Sequence, residues 1–138
     1  MADTGFNWDA SWTVLDAAIV LTQGGTTTDT SAAVSLDVKA ACEVSIDVDY
    51  SNHAKATAGL TVYVLRDVNG TDYEAIADGP WGFEMAFTQS GTNRKTFHVD
   101  PGIAGSFKIY LNWGNTTGSS VATVATSYRT ATIPLATV

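Results

Sequence analysis

Residues 42–50, CEVSIDVDY, alternate apolar and polar side chains without a break. The even positions are apolar or aromatic, and the odd positions carry serine or acidic side chains. Because successive side chains of a β-strand point to opposite faces, this stretch predicts a strand with one face in a core and the other toward solvent. Cys42 falls on the apolar face, so we expect a small buried side chain rather than a reactive thiol.

The same alternation recurs on both sides of this stretch. No segment has helical spacing, and turn signals such as Asn69-Gly70 and Asp78-Gly79-Pro80 separate the alternating runs. The further predicted strands are 33–39, 60–67, 81–87, 94–99, 107–113 and 121–129. The pattern predicts an all-β protein, an antiparallel β-sandwich of about eight strands that is immunoglobulin-like or jelly-roll-like, with extended terminal arms.

The length of 138 residues fits one domain, so we expect residues 1–138 to form a single β-sandwich. Residues 1–11 and 131–138 lack a full alternation. We therefore predict an N-terminal arm and a C-terminal arm that can lie on something other than the domain's own core.

Phase also predicts which residues of three strands are buried. In the segment 33–39, Val34, Leu36 and Val38 share one face. Trp81 shares the phase of Phe83, so we expect it to open a buried strand rather than to stand exposed at the rim of a binding site. Trp113 is predicted to be buried for the same reason.

The charge and hydropathy of the chain argue against two classes of partner. The net charge is −7 with only seven basic residues, whereas nucleic-acid binding needs clustered lysine and arginine. The longest apolar run, VLDAAIVL at 14–21, is too short to cross a bilayer, and the acidic N-terminus does not fit a signal peptide. We expect a soluble protein made inside a cell, with no nucleic-acid or membrane partner.

Candidate catalytic and metal-binding residues are few. Asp37, Asp47 and Asp49 could hold calcium or serve as the paired carboxylates of a glycosidase, but their spacing does not match a calcium loop, and we expect a solvated polar face. His53 and His98 have no zinc-ligand pattern around them, and no G-x-S-x-G elbow occurs. The sequence therefore predicts a non-enzymatic protein without catalytic residues, metal or cofactor.

Four segments carry a resemblance to a known type of protein. They are LTVYVLRDVNGTDYEAIADGPWGFEMAF (60–87), KTFHVDP (95–101), FKIYLNWGN (107–115) and VATVATSYRTATI (121–133). Together they resemble the small β-sandwich structural proteins of tailed-bacteriophage virions, of the decoration or cement type. The resemblance extends over about residues 34–133 and consists of a pattern of strands and turns.

This resemblance implies a capsid decoration protein that binds and stabilises the lattice of the major capsid protein. It implies a virion component made in the host cytoplasm, with the major capsid protein or other virion proteins as partners. It also implies a homo-oligomer, a trimer or a dimer. The alternatives are another head, neck or tail component, or a carbohydrate-binding or receptor-binding β-sandwich module that displays aromatic rings.

The interface of such a protein would lie in the terminal arms. Trp8 and Trp12 precede the first clear strand, so they either fold back as a lid on one end of the sandwich or pack against a partner subunit. Residues around Pro134 would suit an edge strand added to a neighbour. The predicted interface residues are Phe6, Trp8, Trp12, Ile133, Leu135 and Val138.

Overall fold

The computed structural model describes residues 5–23, 25–50, 58–88, 90–100, 105–114 and 121–133. These residues form strands and one short 3-10 turn, Ile76–Asp78. The strands are β1 (Asn7–Trp8), β2 (Thr13–Thr22), β3 (Thr28–Thr30), β4 (Val34–Ser35), β5 (Ala41–Tyr50), β6 (Thr61–Arg66), β7 (Gly82–Glu84), β8 (Thr92–Val99), β9 (Ser106–Asn112) and β10 (Val121–Thr132). No helix in this part of the chain reaches the length and hydrophobicity needed to cross a bilayer.

The strands form two antiparallel sheets. In sheet A, β10 lies between β5 and β2, β8 pairs with the far side of β5, and β1 pairs with the end of β10. In sheet B, β9 lies between β6 and the two short strands β3 and β4, and β7 pairs with the far side of β6. The predicted antiparallel β-sandwich is confirmed.

The strand order distinguishes between the two predicted kinds of sandwich. Each sheet has four main strands if β3 and β4 are counted as one interrupted strand, and β1 and β2, which both pair with β10, as another. Neighbours within a sheet come from distant parts of the sequence, because the chain crosses repeatedly between the two sheets. This is the order of a jelly roll, whereas an immunoglobulin domain keeps sequential hairpin partners together in its sheets.

The core lies between the two sheets and follows the predicted phases. Every even position of β5 from Cys42 to Tyr50 is buried. The apolar inward residues of β6, β8 and β9 are buried as expected, and Trp113 is 1% exposed with its Nε1 donating to the Ala58 carbonyl at 2.9 Å. Burial raises the pKa of the Cys42 thiol to about 12, which fits the predicted unreactive side chain.

The prediction for Val38 is wrong. Regular pairing of β4 ends at Ser35, and the chain then turns, with the Lys39 amide donating to the Leu36 carbonyl at 3.1 Å. Val38 lies in this turn with φ of 53° and is 86% exposed. The sequence continues to alternate apolar and polar residues through the turn, but successive side chains no longer point to opposite faces of a sheet because the backbone is not extended there.

The prediction that Trp81 is buried is also wrong, because 51% of this residue is exposed. Its phase is right, since its ring centre lies 5.5 Å from that of Phe83 and 5.6 Å from that of Phe97 in the other sheet. However, β7 is the last strand of sheet B and pairs only with β6 among the described strands. An inward side chain at the edge of a sheet is covered on one side only.

The Asn69-Gly70 turn forms, but it does not join two regular strands. The Asp67 carboxylate accepts from the amides of Asn69 and Gly70, at 3.1 and 2.6 Å, and Gly70 has φ of 92°. Beyond the turn, Tyr73 makes only an isolated bridge to Asp67. Aspartate and asparagine side chains add to two backbone hydrogen bonds here, from the Val68 amide to the Asp72 carbonyl and from the Glu74 amide to the Arg66 carbonyl.

Candidate functional site

The N-terminal segment lies on sheet A. Asn7 pairs with Thr132 and Trp8 with Ala131, and the Asp9 amide donates to the Thr130 carbonyl at 2.9 Å. The Asp9 carboxylate accepts from the Thr130 hydroxyl at 2.9 Å and from the Thr130 amide at 3.3 Å. These two hydrogen bonds lower the pKa of Asp9, with a smaller contribution from Lys39. The two ends of the described chain are therefore held side by side.

Arg129 fixes two tryptophans on the outer face of this sheet. Its guanidinium carbon lies 4.9 Å from the centre of the Trp8 ring and 4.9 Å from that of Trp12. Its Nε donates to the Glu43 carboxylate at 3.0 Å on the neighbouring strand. A guanidinium close to two indole rings gains cation–π attraction from each of them. This arrangement aligns residues from the N-terminal segment, β5 and β10.

His98 extends the same cluster onto β8. Its Nε2 lies 3.8 Å from the other Glu43 oxygen, and its ring centre lies 6.3 Å from that of Trp8. Phe6 adds an edge-on contact to Trp8, with ring centres 6.5 Å apart. Trp8 therefore packs on the outer face of its own sheet.

Next to this cluster, Trp12 borders a pocket on the outer face of sheet A. Ser127, Ser45 and Thr96 lie opposite one another on three adjacent strands and form its floor. The next outward-facing pair of β5 and β8, Asp47 and Arg94, forms one side of the pocket. The cavity has a volume of about 320 Å³. We call it the Trp12 pocket.

The charges in the Trp12 pocket are paired. Arg94 donates through Nε and Nη2 to the two Asp47 oxygens at 2.5 and 2.8 Å, a bidentate arrangement that raises the pKa of Arg94. The Thr96 hydroxyl donates to the Ser45 hydroxyl at 3.4 Å. A ligand in the pocket would meet hydroxyl groups and one neutral ion pair.

Exposed apolar side chains collect along the free edge of sheet A. On the outer face of β2, Val14 lies opposite Ser127 and is 62% exposed, and Val20 lies opposite Thr123 and is 54% exposed. Phe6 and Ile133 flank the Asn7–Thr132 pair and are 52% and 67% exposed. We call Phe6, Val14, Val20 and Ile133 the apolar edge.

A second cavity lies where β6 of sheet B faces β8 of sheet A. Its volume is about 260 Å³, and Trp81 and His98 stand at its mouth with Val64, Arg66 and Val99 around it. Trp81, which the sequence pattern predicts to be buried, therefore borders a cleft.

The predicted interface residues are partly gathered by the fold. Phe6, Trp8, Trp12 and Ile133 lie at the same side of sheet A. Leu135 and Val138 lie outside the described residues. The interface role of all six stays a prediction. The sequence did not point to Arg129 or Glu43, because their meeting depends on the register of β5 against β10.

The acidic candidates have ordinary surroundings. Asp47 pairs with Arg94, and within the described residues no group of three histidine, cysteine or acidic side chains could hold a metal ion. His53 lies outside the described residues, and His98 is exposed.

No protein-family model matches the chain, and no curated protein matches it in sequence. Among solved structures, it is similar to the CBM22-1 xylan-binding domain from Paenibacillus barcinonensis Xyn10C, with 15% identity over 89% of this chain and 87% of that one and a TM-score of 0.45. It is similar to the Israel acute paralysis virus pentamer, with 11% identity, coverage of 92% and 91%, and a TM-score of 0.46. A third is tomato aspermy virus, with 12% identity, coverage of 100% and 84%, and a TM-score of 0.35.

Two of these three structures come from viruses, and no tailed-phage family is among them. At these identities and TM-scores, the three resemble this chain in β-sandwich architecture alone.

Proposed function

We propose that this chain is a non-enzymatic structural protein of a virion, and that it acts as a capsid decoration protein that binds and stabilises the lattice of the major capsid protein. The observation that carries the proposal is the apolar edge. Its four side chains are each more than half exposed and lie along one border of a jelly-roll domain. A sheet border that exposes several large apolar side chains is a candidate protein–protein interface.

The two borders of sheet A differ in their chemistry. At one border, β8 carries Arg94, Lys95 and His98, and charged side chains discourage pairing with another strand. At the other, β2 is ten residues long, with Asp16 as its only charged residue. Its outer backbone groups have no strand partner in the described chain. The β2 border is therefore the one suited to a neighbouring subunit.

A capsid decoration role would use this border to bind the assembled capsid. A protein that binds the assembled lattice and not the free subunits stabilises the lattice by mass action. Repetition around a symmetry axis, as a dimer or trimer, allows several weak contacts to act together. A role in the head, neck or tail would use the same border, and the position of the protein in the particle distinguishes these roles.

The direct test uses particles of the virus that encodes the chain. The double variant Val20→Lys, Ile133→Lys places two charges in the apolar edge, whereas Val68→Lys, Ile76→Lys places two charges at exposed apolar residues of the turn region. We expect the first variant to stay folded and fail to join particles, and the second to join them as the wild type does.

Particle composition after sedimentation measures this incorporation, and cryo-EM of wild-type particles locates the protein. Normal incorporation of the Val20→Lys, Ile133→Lys variant would contradict the proposed interface. Density for the chain on the tail and not on the capsid would contradict decoration while leaving a structural role.

A further inference from the structure

We infer that the Trp12 pocket binds a neutral saccharide through a single sugar ring. The inference does not rest on the role of the apolar edge, because none of the four apolar-edge residues lines the pocket. Its shape, its aromatic side and its hydrogen-bonding groups each support this ligand class.

The shape comes from a change in side-chain size across the sheet. The floor residues Ser127, Ser45 and Thr96 are small, and they span three strands, about 10 Å at the usual strand spacing. Larger side chains lie on both sides of the floor. Along β5, Glu43 is the outward-facing residue before Ser45, and Asp47 is the outward-facing residue after it. The resulting volume of about 320 Å³ is at the small end of the range for ligand sites.

Trp12 supplies the aromatic side. Arg129 lies over its ring, which fixes the indole in place, and 38% of Trp12 remains exposed. An aromatic side chain held in one orientation binds with little loss of conformational entropy. One face of a sugar ring consists of C–H groups, and this apolar face packs on an aromatic ring. The hydroxyl groups of the sugar point to the side and remain free for hydrogen bonds.

The ion pair at the side of the pocket suits neighbouring hydroxyl groups. Arg94 uses two of its five N–H donors on Asp47, so three donors remain, and both carboxylate oxygens keep accepting capacity. One hydroxyl of a vicinal pair can therefore donate to Asp47 while the next accepts from Arg94. The hydroxyls of Ser45, Thr96 and Ser127 both donate and accept.

The charge balance favours a neutral ligand over an ionic one. Arg94 is neutralised by Asp47, and Arg129, a further cation on the same face of the sheet, is paired with Glu43. A phosphate or a carboxylate would have to compete with these carboxylates for each guanidinium. A cation would have to compete with Arg94 and Arg129 for the carboxylates of Asp47 and Glu43. The pocket therefore offers polar contacts without a net charge to attract ions.

The experiment is a titration of the full ¹⁵N-labelled chain, followed by two-dimensional NMR. The probes are methyl β-D-galactopyranoside, methyl α-D-mannopyranoside and methyl β-D-glucopyranoside. We expect at least one of them to shift the amides of Ser45, Thr96 and Ser127 and the Trp12 indole signal, with a Kd on the order of 1–10 mM, as suits one small site.

Two variants and one control give the result its specificity. Trp12→Ala removes the aromatic side, and Ser45→Leu fills the floor without touching Arg129; each should weaken binding by about tenfold or more. Trp81→Ala removes a tryptophan that is 51% exposed but lies at the other cavity, and this variant should bind the glycoside as the wild type does.

Three outcomes would overturn the inference. They are the absence of shifts at these residues with all three glycosides, equal shifts in the Ser45→Leu variant, and displacement of the glycoside by sodium phosphate. Failure here is separate from failure of the virion role, since Ser45→Leu should still join particles. Likewise, Val20→Lys, Ile133→Lys should still bind the glycoside.

Discussion

The guanidinium carbon of Arg129 lies 4.9 Å from the centre of the Trp8 ring, although the two residues come from opposite ends of the chain. The centre of the Trp12 ring also lies 4.9 Å from this carbon, and the Glu43 carboxylate accepts a hydrogen bond from the same guanidinium. Arg129 therefore links the N-terminal segment to sheet A and also fixes one side of the Trp12 pocket.

Arg129→Ala should lower the free energy of unfolding by about 1–2 kcal/mol, because it removes two cation–π contacts and a charged hydrogen bond. Tryptophan emission should also shift to the red as Trp8 and Trp12 become more solvated. Urea denaturation followed by fluorescence measures both effects. Arg94→Ala is the matched control on the same face; its side chain is 71% exposed, so its loss should cost less than about 1 kcal/mol. An equal cost for the two variants would contradict the assigned role of Arg129.

Acid should weaken the attachment of the N-terminal segment. The folded-state pKa of Asp9 is below its ordinary value of 3.8, so the stability from its ionised form is present above that value and is lost as the pH falls through the folded pKa. At pH 7 the wild type should be more stable than Asp9→Asn, and the difference should be lost at a strongly acidic pH at which the Asp9 carboxyl is protonated in the folded protein. Thermal unfolding at both pH values measures this, and a difference that does not change with pH would count against the Asp9–Thr130 contact.

Tyr50→Phe should destabilise the domain by about 1–3 kcal/mol, because the Tyr50 hydroxyl satisfies a buried backbone group. It accepts from the Leu60 amide at 2.9 Å and donates to the Ala86 carbonyl at 3.3 Å, joining the two sheets at one end. The control is Tyr63→Phe, at a partly exposed position on sheet B, which should stay within about 0.5 kcal/mol of the wild type. Chemical denaturation of both variants tests the difference, and equal stability would exclude a structural role for the hydroxyl.

Gly59→Ala should prevent stable folding or cost more than about 4 kcal/mol, because a Cβ atom there would lie 1.8 Å from the Met85 carbonyl oxygen. At Gly105 a Cβ atom would meet nothing within 4 Å, so Gly105→Ala should change stability by less than about 1 kcal/mol. Soluble yield and thermal unfolding compare the two. A well-folded Gly59→Ala protein would show that β7 can move away from this glycine.

The sequence predicted the architecture because two-residue periodicity survives wherever a strand has a covered face. β5 follows the expected phase at every position. Phase does not say where a strand stops or which strand ends a sheet. Val38 continues the alternation into a turn, and Trp81 points inward at a border where one side of its ring has no cover. Both errors have this origin.

The candidate site was less predictable than the fold. The aromatic residues Phe6, Trp8 and Trp12 stood out because they lie before the first clear strand. Their partner Arg129 did not, since it is one polar residue among several in an alternating strand. The row Ser127–Ser45–Thr96 exists only once the registers of three strands are set. Those registers depend on contacts between distant segments, which a local pattern does not encode.

The position of β10 governs the order in which this protein can be assembled during translation. β10 lies between β2 and β5, so sheet A has no continuous backbone pairing until residues 121–132 have been synthesised. β9 has the same place between β3 and β6 in sheet B. Nascent chains that end before these strands would expose unpaired strand edges, which favours aggregation, and we expect slow folding because most of the backbone pairing joins distant segments.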